Sequence, residues 1–125
     1  MSRDREFVFD PAIHGDSVVA EVIELISRKW TRVIIEHLLF HDSMRYSELS
    51  EEIDGISDKM LSESLQNLEA CHLVDRRVVD DRPVRVEYSL TEPGRELKHV
   101  MDAVADWTER YAEAVETAED AGKDR

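Results

Sequence analysis

YSELSEEIDGISDKMLSESLQNLEAC, residues 46–71, is the stretch on which the fold of this chain turns. Leu49 and Ile53 stand one helical turn apart, which predicts a short helix over about Tyr46 to Ile53. Both apolar side chains would face inward, and Ser47 is the candidate N-cap. Asp54-Gly55-Ile56-Ser57 then reads as a tight turn. Gly55 can take the positive φ that stops a helix, Ile56 can plug a core, and Ser57 can cap the next helix. That helix is expected over Asp58 to Cys71, burying Met60, Leu61, Leu65 and Leu68. Two short helices across a glycine-containing turn form a helix-turn-helix, whose second helix enters a DNA major groove.

Beyond Cys71 the period changes. Val84-Arg85-Val86-Glu87-Tyr88-Ser89-Leu90 alternates apolar and polar residues, the mark of a half-buried strand. Leu73 to Asp80 is valine-rich and reads as its partner, with Asp81-Arg82-Pro83 at the tip of the hairpin. Upstream, Val18, Val19, Val22, Ile23, Leu25 and Ile26 form a helical stripe that Ser27-Arg28-Lys29 interrupts. A second helix, Trp30 to Phe40, is apolar on most sides and therefore central to the core. His41-Asp42-Ser43 reads as a loop. Thr91 caps a last helix that accepts Pro93 in its first turn. Leu97, Met101, Val104, Thr108, Tyr111, Val115 and Ala118 recur along it, and Val100 and Trp107 widen the stripe.

The expected fold is mainly α with a two-stranded β wing: a winged helix-turn-helix followed by a long C-terminal dimerisation helix. Residues 1–15 read as a flexible arm, 16–91 as the DNA-binding domain, 92–118 as the dimerisation helix and 119–125 as a frayed tail. A stripe holding Trp107 and Tyr111 is more than so small a domain can cover, so Leu97, Met101, Val104, Trp107 and Tyr111 are the candidate dimer interface.

Several ordered stretches resemble the HxlR family of regulators. Leu25-Ile-Ser-Arg-Lys-Trp30 is similar to that family's Leu-Ile-Gly-Gly-Lys-Trp element, with Ser27 and Arg28 in place of the glycines. Arg45-Tyr-Ser-Glu-Leu49 resembles its helix-three opening, and Gly55-Ile-Ser-Asp-Lys-Met-Leu61 its turn and recognition-helix start. Leu68-Glu with Leu73-Val74, and Arg85 to Thr91 with Gly94-Arg95, complete a match over roughly residues 17 to 111. The resemblance implies a dimeric winged-helix transcription regulator, related in mode to MarR-type proteins. It also admits a small-molecule effector, which no residue here identifies. Many members carry a redox-sensing cysteine near the start of the first helix; aligned on Trp30, that position is Ser17. Ser64 stands where an arginine is common.

On the recognition helix the buried stripe leaves Asp58, Lys59, Ser62, Glu63, Gln66 and Asn67 outward. Lys59 suits a guanine edge or a phosphate, Gln66 and Asn67 suit adenine, and Ser62 suits several bases. Ser57, Arg45, Arg82 and Arg85 complete the candidate DNA contacts, with Arg82 at the wing tip placed for phosphate or the minor groove. The bland reading of each is a solvated surface. Arg28, Lys29 and Arg32 form a second local basic run, for which surface ion pairing is the simpler reading.

The partner expected is double-stranded DNA with a palindromic operator, yet the chain is acidic. Its net charge is −13, with 29 acidic against 16 basic residues. Its only lysines are Lys29, Lys59, Lys98 and Lys123. Such an acidic, lysine-poor surface is expected of a protein from a high-salt cytoplasm, where self-repulsion is screened. Within residues 73–88 the charges balance: Arg76, Arg77, Arg82 and Arg85 against Asp75, Asp80, Asp81 and Glu87. A winged-helix module that binds protein instead of DNA is the alternative, favoured by the acidic recognition face.

No apolar run or leader pattern points to a membrane or to export, so a cytoplasmic location is expected. One cysteine excludes an intramolecular disulfide. Cys71 is expected to be a buried, small apolar side chain rather than a redox switch. His37 and His41 with Cys71 and His72 lack zinc-ligand spacing, so no metal is expected. Phosphate loops, nucleophile elbows and metalloprotease helices are missing from the sequence, so neither a catalytic residue nor a cofactor is expected.

Overall fold

Helix α2 (Lys29–Phe40) is the element around which the others pack, with Ile34, Ile35 and Leu38 fully buried. The structure, a computed structural model, describes Asp10 and residues 18–123. Ser17 and, apart from Asp10, the arm expected over 1–15 lie outside the described residues. In chain order, α1 is Val18–Ser27, β1 Met44–Arg45, α3 Tyr46–Glu52 and α4 Asp58–Ala70. The hairpin β2 (Val74–Asp81) and β3 (Val84–Leu90) follows, then α5 (Glu92–Lys123). The wing is thus a three-stranded antiparallel sheet of order β1-β3-β2, one strand more than periodicity predicts. Met44 pairs with Tyr88 and Arg45 with Glu87. A strand of two residues has no period to read, and only its position beside β3 makes it one.

Local chemistry explains the element boundaries. Ser27 Oγ donates to the Glu24 carbonyl at 2.8 Å, and Arg28 is extended, so the Ser27-Arg28-Lys29 interruption separates α1 from α2. At α3 the N-cap is Arg45, not Ser47: the Glu48 carboxylate reaches back to accept the Arg45 N–H at 3.0 Å. The helix starts directly off β1, which places Ser47 inside its first turn. Gly55 has φ of 83°, and Ser57 Oγ accepts the Met60 N–H at 3.1 Å, as the turn reading expects. The buried side of α4 is Leu61, Ser64, Leu65 and Leu68. Met60, expected in that stripe, flanks it and is 37 % exposed. Ser64 faces the core, so it takes no part in the outer face of the helix.

The end of α4 is a Schellman closure. Leu73 N–H donates to the Leu68 carbonyl and His72 N–H to the Glu69 carbonyl, both at 3.0 Å. His72 occupies the left-handed position, φ 60°, where glycine is usual. Cys71 is the C-cap, past the last buried leucine, and is exposed, which corrects its expected burial. Because a side chain in this region carries a steric cost of about 1–2 kcal/mol, His72→Gly should raise stability. Glycine's greater unfolded-state freedom offsets part of that, leaving up to about 1 kcal/mol. A thermal midpoint several degrees higher is expected; an unchanged or lower midpoint contradicts the account.

The sheet's core face supplies Met44, Val74, Tyr88 and Leu90 to the cluster around α2 and α4. A register shift between Val78 and Asp80 leaves Val79 out of the ladder near the tip. Where β3 meets α5, Thr91 N–H donates to the Leu73 carbonyl at 3.0 Å and Thr91 Oγ1 to the His72 carbonyl at 2.8 Å. Thr91 Oγ1 in turn accepts the Gly94 N–H at 3.1 Å, the cap expected of it. Leu97 is buried and Met101 packs on the core, after which α5 leaves the domain and runs to Lys123, beyond the 118 expected.

Candidate nucleic-acid interface

The outer face of α4 carries Lys59, Glu63, Gln66 and Asn67, all exposed. Their three- and four-residue spacing sets them on one side, opposite Leu61, Leu65 and Leu68. Ser57 is exposed but its hydroxyl is engaged as the cap. Ser62 is half-buried on the flank of this face, and its Oγ lies 3.1 Å from the hydroxyl of Tyr46. Tyr46 also donates to the Asp58 carbonyl at 3.1 Å, with Asp58 Oδ1 at 3.5 Å. One phenol at the start of α3 therefore holds the first turn of α4, fixing the two helices of the motif against each other. Sequence reasoning missed this role. A tyrosine opening a helix carries no periodic signal, and the contact joins residues separated by the whole turn.

On the wing, Arg82 is exposed at the tip, where its N–H donates to Asp80 Oδ1 at 3.3 Å. Arg85 is exposed on β3 opposite Asp80. Arg45 and Glu87 pair across β1 and β3, and Arg77 flanks Glu87 from β2. Arg45 and Arg85 line one cleft between the start of α3 and the wing, together with Tyr46, Ser47, Val84 and Val86. The fold thus brings Arg45 and Arg85 together, although 40 positions separate their numbers.

The cations divide by place. Arg28 pairs with Glu24 at 3.4 Å and Arg32 with Glu36 at 2.6 Å, and Lys29 lies over the Trp30 ring at 4.5 Å. Two of the three cations of that basic run therefore face carboxylates, and the third lies over a ring. Arg45 approaches Glu48 at 3.9 Å, Lys98 pairs with Asp102 at 2.7 Å, and Arg110 pairs with Asp106. Among the described residues, Lys59 of α4 and Arg76, Arg77, Arg82 and Arg85 of the wing form no ion pair, nor do Arg95 and Lys123 at the ends of α5. Exposed pairs contribute little to stability, but they remove the cations available to a phosphate.

The α5 stripe splits into a covered and an uncovered part. Leu97, expected in a dimer interface, is 7 % exposed in the chain's own core, and Met101 is partly buried there. Val104, Trp107 and Tyr111 are each about half exposed, and Val100 little less. The rings of Trp107 and Tyr111 stack with centroids 5.0 Å apart.

His37 Nδ1 lies 2.9 Å from the Val33 carbonyl, and His41 Nε2 lies 3.8 Å from Glu52. Among the described residues no group of three or more His, Cys, Asp or Glu side chains is arranged to hold a metal ion. No helix among them is long and apolar enough to cross a membrane.

The model of the HxlR-like helix-turn-helix family matches residues 25–116, which include every element from α2 through β3 and most of α5. The chain belongs to the HxlR-like helix-turn-helix family. Among the HxlR-like relatives, the transcriptional regulator YodB of Bacillus subtilis is 38% identical over 93 residues, 74% of this chain and 82% of that protein. The structure of reduced YodB superposes with a TM-score of 0.71 at 33% identity, covering 86% of this chain and 98% of that one. A MarR-family transcriptional regulator from Enterococcus faecalis gives the same TM-score at 28% identity, covering 87% and 94%. The family and the winged-helix architecture expected from the sequence are thereby established, and the relatives are transcription regulators.

Proposed function

We propose that this HxlR-like protein regulates transcription as a cytoplasmic homodimer bound to a palindromic operator. In this reading α4 lies in the major groove and the wing meets the backbone or minor groove. Lys59 addresses a guanine edge or a phosphate, Ser62, Gln66 and Asn67 address base edges, and Ser57, Arg45, Arg82 and Arg85 address the backbone. Val104, Trp107 and Tyr111 join the two copies, setting the recognition helices about 34 Å apart. The observation that carries the reading is where the unpaired cations lie: Arg28, Arg32, Lys98 and Arg110 face carboxylates, whereas among the described residues Lys59 and the hairpin arginines Arg76, Arg77, Arg82 and Arg85 form no ion pair. Any effector control is assigned to the cleft between α2 and α5, lined by Leu39, Phe40 and Met101 together with the charged Glu36, Lys98 and Asp102.

The acidic remainder of the surface dictates unusual salt behaviour. Near molar salt the screening length is about 3 Å, so long-range repulsion of DNA fades while short-range contacts persist. A DNA-binding protein making many phosphate contacts loses about 10³-fold or more in affinity for a fourfold rise in salt. Here a fourfold rise, from about 0.5 to about 2 M KCl, should change affinity by less than about tenfold. Gel shifts on DNA fragments selected from genomic sequence measure this, and a steep conventional loss would overturn the electrostatic account. Lys59→Ala with Arg82→Ala should abolish the shift. The acidic neighbours Asp58 and Glu63 favour a second reading, a protein-binding winged helix. A monomer that shifts no DNA at any salt concentration would establish that reading instead.

A further inference from the structure

A free serine hydroxyl is ambivalent towards bases because it can donate or accept. In this protein that freedom is removed at Ser62. The Tyr46 phenol has one proton, and the Asp58 main-chain oxygen 3.1 Å away can only accept. A phenol proton turned to Ser62 would leave two bare oxygens facing each other at Asp58, so the arrangement that satisfies both contacts places the Tyr46 proton on Asp58. At the second contact, 3.1 Å from Ser62 Oγ, where either oxygen could donate, that arrangement makes the phenol oxygen the acceptor and Ser62 the donor. The chain of hydrogen bonds runs from Ser62 through Tyr46 to Asp58, and it leaves Ser62 Oγ with lone pairs but no proton for any other partner.

We propose that Tyr46 makes Ser62 an acceptor-only reader and thereby a specificity determinant. It selects a base that offers an amino group in the major groove, adenine through N6 or cytosine through N4, over guanine and thymine. This rests on the DNA-binding reading above. Ser62 lies one turn beyond Lys59 and one turn before Gln66, so all three address neighbouring positions of one groove. Tyr46 is a positioning residue that touches no base itself.

The test is selection of the full-length protein on a randomised operator, comparing the wild type with Tyr46→Phe, Ser62→Ala and Ser62→Thr. In the wild type, one base pair per half-site should favour adenine or cytosine on the contacted strand by about fivefold, the worth of one net hydrogen bond. Ser62→Ala should erase that preference and Ser62→Thr should keep it. Tyr46→Phe, which frees the serine proton, should reduce it to about twofold or less while the preferences at other positions persist. A merely structural role for Tyr46 would weaken binding to all sequences alike. An unchanged preference in Tyr46→Phe, or a wild-type preference for guanine or thymine at the position Ser62→Ala relaxes, overturns this inference and leaves the DNA-binding reading standing. Failure of the wild type to select any DNA overturns that reading and this inference with it.

Discussion

Gly94→Ala is expected to lower the unfolding free energy by about 2–4 kcal/mol, against every local preference of a helix. Helix propensity alone argues the other way, since alanine is better than glycine by about 1 kcal/mol. The opposing contact is with main chain. A Cβ on Gly94 would lie 2.2 Å from the Leu73 carbonyl oxygen and 3.2 Å from its carbon. That oxygen cannot swing aside cheaply, because it accepts the Thr91 N–H and sits in the turn closing α4. Relief requires lifting the first turn of α5 off the junction, at the expense of the Thr91 hydrogen bonds to Leu73, His72 and Gly94. Gly122 supplies the internal control: nothing lies within 4 Å of a Cβ there. Gly122→Ala should be neutral or stabilise by up to about 1 kcal/mol. Urea unfolding of both variants at equal protein concentration decides the matter. Equal stability of Gly94→Ala and wild type would show that the close approach carries no energetic weight.

Trp107→Ala should leave the single-chain fold intact and raise the dissociation constant of the proposed dimer by about 30-fold to 1000-fold, the range of an interface hot spot. Trp107 is 55 % exposed and stacked on the similarly exposed Tyr111, so its removal opens no cavity within one chain. The contrast is Leu97→Ala on the same helix. Leu97 is in the core, and its truncation should cost about 2–5 kcal/mol of stability through lost burial and a cavity. Sedimentation equilibrium for association and denaturant unfolding for stability should therefore separate the two positions. A monomeric wild type, or a Trp107→Ala protein that associates as before, removes α5 from the dimer interface. Because both copies are acidic, association should also strengthen as salt is added.

The helix-turn-helix, the wing strand β3 and the last helix were legible in the order of residues because each is specified by its own neighbours. Gly55 and Ser57 mark a turn by backbone and capping chemistry that acts within a few positions, and the alternation from Val84 to Leu90 needs no partner to be recognised. Even the outward placement of Lys59, Gln66 and Asn67 follows from the spacing of Leu61, Leu65 and Leu68. Contacts between distant segments left no such trace. β1 is a strand only because β3 lies beside it, and Gly94 is constrained by a carbonyl that belongs to another turn. The α5 stripe looks uniform from Leu97 to Tyr111, but the core covers its beginning and leaves the rest bare. Tyr46 and Ser62 meet because α3 and α4 cross at one angle. Periodicity records which side of an element is apolar or polar; packing of the whole chain settles what, if anything, lies against that side.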